Sequence, residues 1–488
     1  YYYKNEGRFI FSSEVQAIHE ILGNKYPLNE KVIKDIASGS FLNHGTHETY
    51  LENVFSLPGG YNLVLNQSGE IEKKEWYVLK KVEVPKKFED QARKLKELLI
   101  DSCNLRLRSD VPIGTCLSGG VDSGGITALI NSFKPGENNR FSNYTHRGFC
   151  AAFPDTPIDE SNSAKILAEK FGSKLDILDI VPPKKEELEK AMQQCDGPMH
   201  ALAFFPIWSL YHYIKGQKIT VTLDGQGPDE MLGGYRPIYE ALNAAIELKK
   251  PKWFWEVYKA YSAQGETSQF SSKWYARKVI TILLLKNIIK FITKVISWFG
   301  FSKMKNDLDK FLNPSKKIFN FAKKSVGFNN SFDESLFEQF FQAPLPGILN
   351  QYDRCSMAHG VECRMPYMDY RVVEFVFSLP PESKVGSGYT KRVLREALKG
   401  FLPDEVRLNK LKIGFNAPIV DWFKGPLKEF ILEQMNKKEF TNSKYFDGQK
   451  LKNDFQAFIK NPKAQWDEAW KFWPPVHLTW WMNCNNIK

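Results

Sequence analysis

Near the start of the chain, apolar and polar residues alternate over short runs: Arg8 to Ser12, Leu51 to Leu57, Tyr61 to Leu65 and Ile71 to Tyr77. This alternation, with a turn at Asn66–Gly69, predicts strands and a β-rich piece. Residues 79–90, with Lys80-Lys81 and Pro85-Lys86-Lys87, read as a linker. From Phe88 to Arg108 the apolar spacing becomes helical. Beyond it, apolar runs and helical patterns take turns. Strands are expected at Ile113–Leu117, Tyr144–Phe153, Leu175–Ile180 and Ile219–Leu223, and helices at Ile126–Ile130, Asp159–Phe171 and Ala203–Ile214. Apolar strands separated by helices predict an α/β domain with a parallel sheet covered on both faces. Ligands of such sheets lie at the carboxyl ends of the strands. Residues 237–345 read as mostly helical and aromatic-rich.

The strand at 113–117 runs directly into Ser118-Gly119-Gly120-Val121-Asp122-Ser123, so the order is strand, glycine turn, helix. Glycines let the backbone approach an anion, and the turn's N–H groups with the helix N-terminus make a positive cradle for phosphate. Ser118 and Ser123 add hydroxyl donors. Asp122 would repel phosphate unless a metal bridged them, which favours a Mg²⁺-pyrophosphate cradle. Taken alone, the run could be a glycine turn capping a helix. A Walker loop is excluded, because the chain contains no Gly-Lys dipeptide, and no Gly-x-Gly-x-x-Gly is present. The run matches the SGGxDS signature of PP-loop ATP pyrophosphatases, which cleave ATP between the α and β phosphates.

Length and composition narrow the setting. A chain of 488 residues predicts two or more domains, and 43% hydrophobic with 25% charged residues is ordinary for a soluble globular protein. None of the seven cysteines forms a C-x-x-C pair, so neither zinc nor a disulfide framework is expected. With no signal peptide, this points to a reducing, cytoplasmic setting. The net charge of +11 is dispersed and no RNA-binding motif occurs, so nucleic acid is not an expected partner. The stretch 279–299 is apolar, but Lys286, Lys290 and Lys294 fall on one helical stripe. That spacing predicts an amphipathic helix and no stable membrane insertion.

After the strand at 219–223 comes Asp224-Gly225-Gln226-Gly227-Pro228-Asp229-Glu230, then Met231-Leu232-Gly233-Gly234-Tyr235. Two acidic glycine loops at one sheet edge suggest one nucleotide site, with Asp122 and Asp229 sharing a metal. Further blocks are Tyr352-Asp353-Arg354-Cys355-Ser356-Met357, Gly360-Val361-Glu362-Cys363-Arg364-Met365-Pro366-Tyr367-Met368-Asp369 and Thr390-Lys391-Arg392-Val393-Leu394-Arg395-Glu396. Each alone could be an ordinary helix end or solvated charge. In this order they closely resemble the glutamine-dependent asparagine synthetases, through nearly the whole sequence. Arg106 to Gly114, Lys412 to Pro418 and Ser12 to Ile18 also match.

The resemblance implies an N-terminal-nucleophile glutaminase domain at residues 1–80, present only in part, and a synthetase domain at 81–488 whose PP-loop core spans about 90–236. It implies asparagine synthesis through a β-aspartyl-AMP intermediate, with AMP and pyrophosphate released. By the family pattern Ser118, Gly119, Gly120, Asp122 and Ser123 hold pyrophosphate, and Asp122 and Asp229 hold Mg²⁺. Leu117, Ala151, Asp224 and Gly225 line the AMP pocket, and Lys391 neutralises charge at the α-phosphorus. The expected partners are aspartate, ATP, and glutamine or ammonia, and a homodimer is allowed for. Two departures stand out. Family glutaminases use an N-terminal cysteine, whereas Tyr1 opens this chain and its first cysteine is Cys103. A partial gene product is expected over a natural ammonia-only enzyme. Many members also carry Glu where Gln226 stands. Gln can orient a substrate but cannot act as a base, which leaves another carboxylate open as the acceptor. A non-catalytic scaffold and an RNA-modifying PP-loop enzyme are the remaining alternatives.

Overall fold

The computed structural model describes all residues except 6, 24–25, 41, 134–143, 200, 236, 264–280, 282–326, 412 and 486–488. The amphipathic stretch 279–299 therefore lies outside the described residues apart from Thr281. The strands are β1 (Tyr2–Asn5), β2 (Arg8–Phe11), β3 (Val54–Phe55), β4 (Tyr61–Leu65), β5 (Ile71–Glu75), β6 (Ile113–Cys116), β7 (Tyr144–Ala152), β8 (Lys174–Asp179), β9 (Val221–Leu223) and β10 (Glu362–Arg364).

β6 to β10 form one parallel sheet in the order β10-β9-β6-β7-β8. The chain runs outward from β6 through β7 to β8, then returns to lay β9 on the other side of β6. The strand order thus reverses between β6 and β9, and the loops leaving these two strands splay apart at their carboxyl ends. Every residue of β9 is buried, as expected of a strand inside a covered parallel sheet. The helix Phe88–Arg106 closes one face, burying Ala92, Leu95, Leu99 and Cys103 at helical spacing.

The β-rich opening is only part of the N-terminal structure. β2, β1 and β3 make a small antiparallel sheet, and β4 and β5 form the expected hairpin around residues 66–69. Of the run 51–57, only Val54–Phe55 pairs as a strand; Leu51 makes an isolated bridge to Leu28. Two helices, Val15–Leu22 and Glu30–Ala37, interrupt the strands. Their apolar faces, including Ile18, Ile33 and Ile36, join one core with Phe472, Trp473 and Trp481 of the C-terminal helices. The main chain at the start of helix Val15–Leu22 is capped from outside the segment: Asp196 accepts from the N–H groups of Val15 and Gln16 at 2.9 and 2.7 Å. Arg354 lies 3.7 Å from the same carboxylate and donates to Ser13 O at 2.9 Å.

The GVECRMPYMD block is explained by β10 and the turn after it. Arg364 donates to the carbonyls of Arg106 and Arg108, and Asp369 receives Arg106 at 3.1 Å and Arg371 at 2.9 Å. Burial opposes the charge of Asp369, but the hydrogen bonds from Arg371 and Arg106 outweigh it and hold the carboxyl down to about 2. A carboxylate depressed on folding stabilises the native state above its unfolded pKa and loses that contribution as it is protonated. Asp369→Asn, which keeps the side-chain cap of helix Tyr370–Ser378, should therefore lower stability at pH 7. The gap to wild type should close as pH falls from 3.8 to about 2. Denaturant titrations across that range check it; a gap independent of pH would show that the charge contributes nothing.

Candidate active site

β6 ends at Cys116, and the chain leaves the sheet through Leu117–Gly120 into the helix Val121–Asn131. Gly119 turns the loop at φ +80°, a conformation that side-chain-bearing residues rarely adopt. Ser123 Oγ accepts from the Ser118 N–H at 3.1 Å, and the two serine hydroxyls lie 3.0 Å apart. The loop is braced by its own side chains, so its open N–H groups are positioned before any anion arrives.

The loop after β9 lies against it: a Cβ on Gly225 would come within 2.7 Å of Ser123 N. Asp229 sits in the short helix Pro228–Met231. Lys391, arriving from more than a hundred residues further along, closes the arrangement. Its Nζ lies 2.5 Å from Asp122 Oδ2 and 2.7 Å from Asp229 Oδ1. Lys391 is 5% exposed, and it adopts φ +53° although it is not glycine. Such a backbone costs on the order of 1–3 kcal/mol and clusters at functional sites. It is the N-cap residue of the helix Arg392–Ala397, which packs against the helix Phe88–Arg106. Gly234 makes room for the cluster, since a Cβ there would stand 1.9 Å from Asp229 Oδ1 and 2.4 Å from Lys391 Cε.

A cavity of about 450 Å³ opens at this edge. Leu117, Ser118, Asp122, Ser123, Ala151, Gly225, Gln226 and Asp229 line it. Gly119, Gly120 and Lys391 are behind that surface, in the loop and beneath the carboxylates. Asp224 is also behind it: its carboxylate accepts from Tyr211 Oη at 2.5 Å and from Cys363 Sγ at 3.2 Å. The remaining wall is largely apolar and aromatic, with Phe149, Phe153 and Phe415 and the stacked pair Trp466 and Trp470. Glu160, Glu230, Tyr235, Gln351 and Tyr352 add polar groups. Burial pushes the Tyr235 and Tyr352 hydroxyls up, and the charges of Glu230 and of Asp224 respectively push the same way, so both stay neutral.

Asp122 and Asp229 converge on one ammonium, so their oxygens already meet at a point sized for a single cation. That donor set fits Mg²⁺, which binds through one or two carboxylates plus substrate phosphates. Among the described residues no group of three or more His, Cys, Asp or Glu could hold a metal by protein ligands alone. The carboxylate pair is therefore suited to a metal that arrives with a phosphate.

Fold and site together define an α/β protein with a serine–glycine loop and a carboxylate pair at the switch point of its parallel sheet. The Asparagine synthase family model matches residues 94–483, and the chain belongs to that family. It is similar to a glutamine-hydrolysing asparagine synthetase of Bacillus subtilis, 25% identical over 436 residues, covering 88% of this chain and 66% of that protein. It is also similar to the amidase chry2 of Gibberella zeae, 24% identical over 446 residues, covering 82% of this chain and 64% of that protein. A solved structure of a U34-tRNA thiolase from Methanococcus maripaludis matches at 11% identity and TM-score 0.21, covering 49% of this chain and 85% of that one. The chain thus spans slightly less than two thirds of the length of these two curated relatives. No helix among the described residues is long and apolar enough to cross a membrane.

Two substitutions test the cluster. Gly234→Ala forces the ion pairs apart and should reduce any ATP-dependent activity a hundredfold or more while the sheet stays folded. Circular dichroism with an activity assay checks this, and wild-type activity would show that the close approach is not needed. Lys391→Ala leaves a buried and a half-buried carboxylate facing each other, so it should destabilise the ligand-free protein by at most about 3–5 kcal/mol, the cost of a broken buried pair. Added Mg²⁺ should restore part of that loss, and thermal melts with and without the ion measure it.

Proposed function

We propose that this chain catalyses ATP-dependent amide formation, with the side-chain carboxylate of aspartate as the acceptor. In this reading the carboxylate attacks the α-phosphorus of ATP. β-Aspartyl-AMP and pyrophosphate form, and ammonia then displaces AMP to give asparagine. Nitrogen comes from glutamine or ammonia. The observation that carries the reading is the ammonium of Lys391 held between Asp122 and Asp229 beside a braced phosphate loop.

Mg²⁺, when bound, would neutralise charge on the β and γ phosphates. The protein's part is positioning and electrostatics, which nucleotidyl transfer needs more than covalent help. The loop N–H of Gly119 and the hydroxyls of Ser118 and Ser123 donate to the pyrophosphate oxygens. Leu117 and Ala151 give the nucleoside an apolar bed, and Gly225 lets its loop pack against the main chain of Asp122 and Ser123 beside it. Lys391, released from a carboxylate when the metal-bound phosphates arrive, places its charge against the α-phosphoryl oxygens as they gain charge. Gln226 orients the acceptor or the nitrogen by hydrogen bonds. The domain division at residue 80 and the twelve site residues named from the sequence belong to the same proposal.

A second reading keeps the chemistry and changes the acceptor. Gln226 at a position where many members carry Glu, together with a relative named as an amidase, favours a carboxylate other than aspartate. A catalytically inert scaffold is disfavoured by the intact Asp122, Asp229 and Lys391.

The deciding experiment supplies Mg-ATP with a panel of carboxylic acids, aspartate included, and follows pyrophosphate release. Release with aspartate and ammonium, with asparagine and AMP formed in equal amounts, is the expected result. Release with another acid instead transfers the proposal to that acid, and release with none removes it. Asp122→Asn and Asp229→Asn should each lower turnover a hundredfold or more, the scale of a lost electrostatic contact. Lys391→Ala should lower kcat and leave the KM for ATP within a few-fold, because its charge acts on the transition state. A rise in KM alone would make Lys391 a ground-state contact.

A further inference from the structure

Two tyrosines of the cavity wall, Tyr211 and Tyr352, have no part in the chemistry above. Tyr211, on the helix Phe204–Gly216, lines the cavity and donates to Asp224 Oδ2 at 2.5 Å. Cys363 donates to the same oxygen, and Asp224 Oδ1 has no hydrogen-bond partner among the described residues. Tyr352 and Gln226 line the cavity beside them and are hydrogen-bonded to each other. Asp224 is 1% exposed. Burial, and next the Asp224 charge, push Tyr211, Cys116 and Cys363 well above their ordinary values, so all three keep their protons. Gln226 has no proton-accepting site of useful basicity. In this cluster, then, one carboxylate is surrounded by neutral donors, and two of them, Tyr211 and Cys116, also line the cavity.

We propose that Tyr211 and Asp224 form a proton relay for the amide-forming step, taking the surplus proton of the incoming nitrogen. The inference rests on the adenylation reading and concerns only its second half. The nitrogen of ammonia bonds to the acyl carbon, and the bond from that carbon to the AMP oxygen breaks, its electron pair leaving with AMP. The proton lost by the nitrogen passes to Tyr211 Oη as the tyrosine's own hydroxyl proton passes to Asp224 Oδ2. Tyr211 ends neutral and Asp224 ends protonated. After AMP leaves, the proton returns by the same route to water. The sum is acyl-AMP plus ammonia giving amide, AMP and one proton. Tyr211 is the group that meets the nitrogen, and Asp224 acts through it. The carboxylate that Gln226 cannot supply is thereby supplied two residues earlier, through a tyrosine.

The test compares two nucleophiles in one enzyme, using the acid from the panel above that gives most pyrophosphate. Hydroxylamine is a weaker base than ammonia and gives up its proton to water without help. The readout is the ratio of amide formed with ammonium to hydroxamate formed with hydroxylamine. Changes in folding, nucleotide binding or adenylation affect both products equally and cancel in it. Tyr211→Phe and Asp224→Asn should each lower the ratio at least tenfold, against the about 10²–10⁴-fold typical of general acid–base catalysis. Should Asp224→Asn fail to fold, Tyr211→Phe decides alone, since it removes a single hydroxyl. An unchanged ratio in Tyr211→Phe overturns the relay while leaving the adenylation reading intact. A ratio that falls in Glu230→Gln and not in Tyr211→Phe assigns the proton to Glu230 and also overturns it. A wild-type chain that releases no pyrophosphate with any acid overturns both readings.

Discussion

One buried cation held between a buried and a half-buried carboxylate sets the terms for the rest of this molecule. Taking such charges out of water costs several kcal/mol per ion, and the cost is recovered only when geometry is close. The surrounding structure supplies that geometry. The strand order brings β6 and β9 side by side, so the carboxylates that follow them can face one another. Gly234 vacates the space the ion pairs need, and Lys391 tolerates a left-handed backbone to reach it. The helix Phe88–Arg106, itself fixed to the turn after β10 through Ser102 and Arg106, buttresses the helix that Lys391 caps. A charge cluster of this kind is poorly suited to stability alone, because apolar residues of similar size would hold the fold as well. In the proposed function it is a site where one cation gives way to another.

Much of this was legible in the chain before any fold was known. Glycine turns with acidic neighbours, each following an apolar run, located both loops, because strand, turn and helix have distinct residue preferences that survive without tertiary context. The hairpin at β4 and β5 was legible for the same reason. The helices Val15–Leu22 and Glu30–Ala37 were not, because their apolar faces are completed by Trp481 and its neighbours at the far end of the chain. β10, three residues long, was invisible as a strand: it pairs with β9 but carries Glu and Arg, which look like a solvated edge. Tyr211 was missed since an aromatic on an apolar helix reads as core, and only its hydroxyl's contact with Asp224 separates it from its neighbours. Asp224 itself was recognisable as a residue of the loop, but the direction of its side chain depends on partners from three separate segments.

The cavity wall also shows how composition can mislead about chemistry. Aliphatic and aromatic side chains make up much of it, as they fill the cores on either side. A low-polarity wall strengthens every charge interaction within the cavity and keeps the nearby tyrosines and cysteines protonated. Burial therefore does two things here with one set of residues. It sharpens the electrostatics at the carboxylate pair, and it silences ionisable groups that would otherwise compete for the same proton.

The helix Leu345–Met357 has two working faces. Ile348, Gln351 and Tyr352 look into the cavity, while Arg354 reaches the N-terminal segment and shares Asp196 with the main chain of helix Val15–Leu22. The consequence is one of modularity. A segment attached by its own backbone N–H groups to a carboxylate elsewhere, and packed into that region's core, cannot be exchanged like a bead on a string. Recombination between relatives at the linker would deliver a new N-terminal segment to an Asp196 and an Arg354 shaped for the old one. The two parts must therefore be inherited, or engineered, as a matched set.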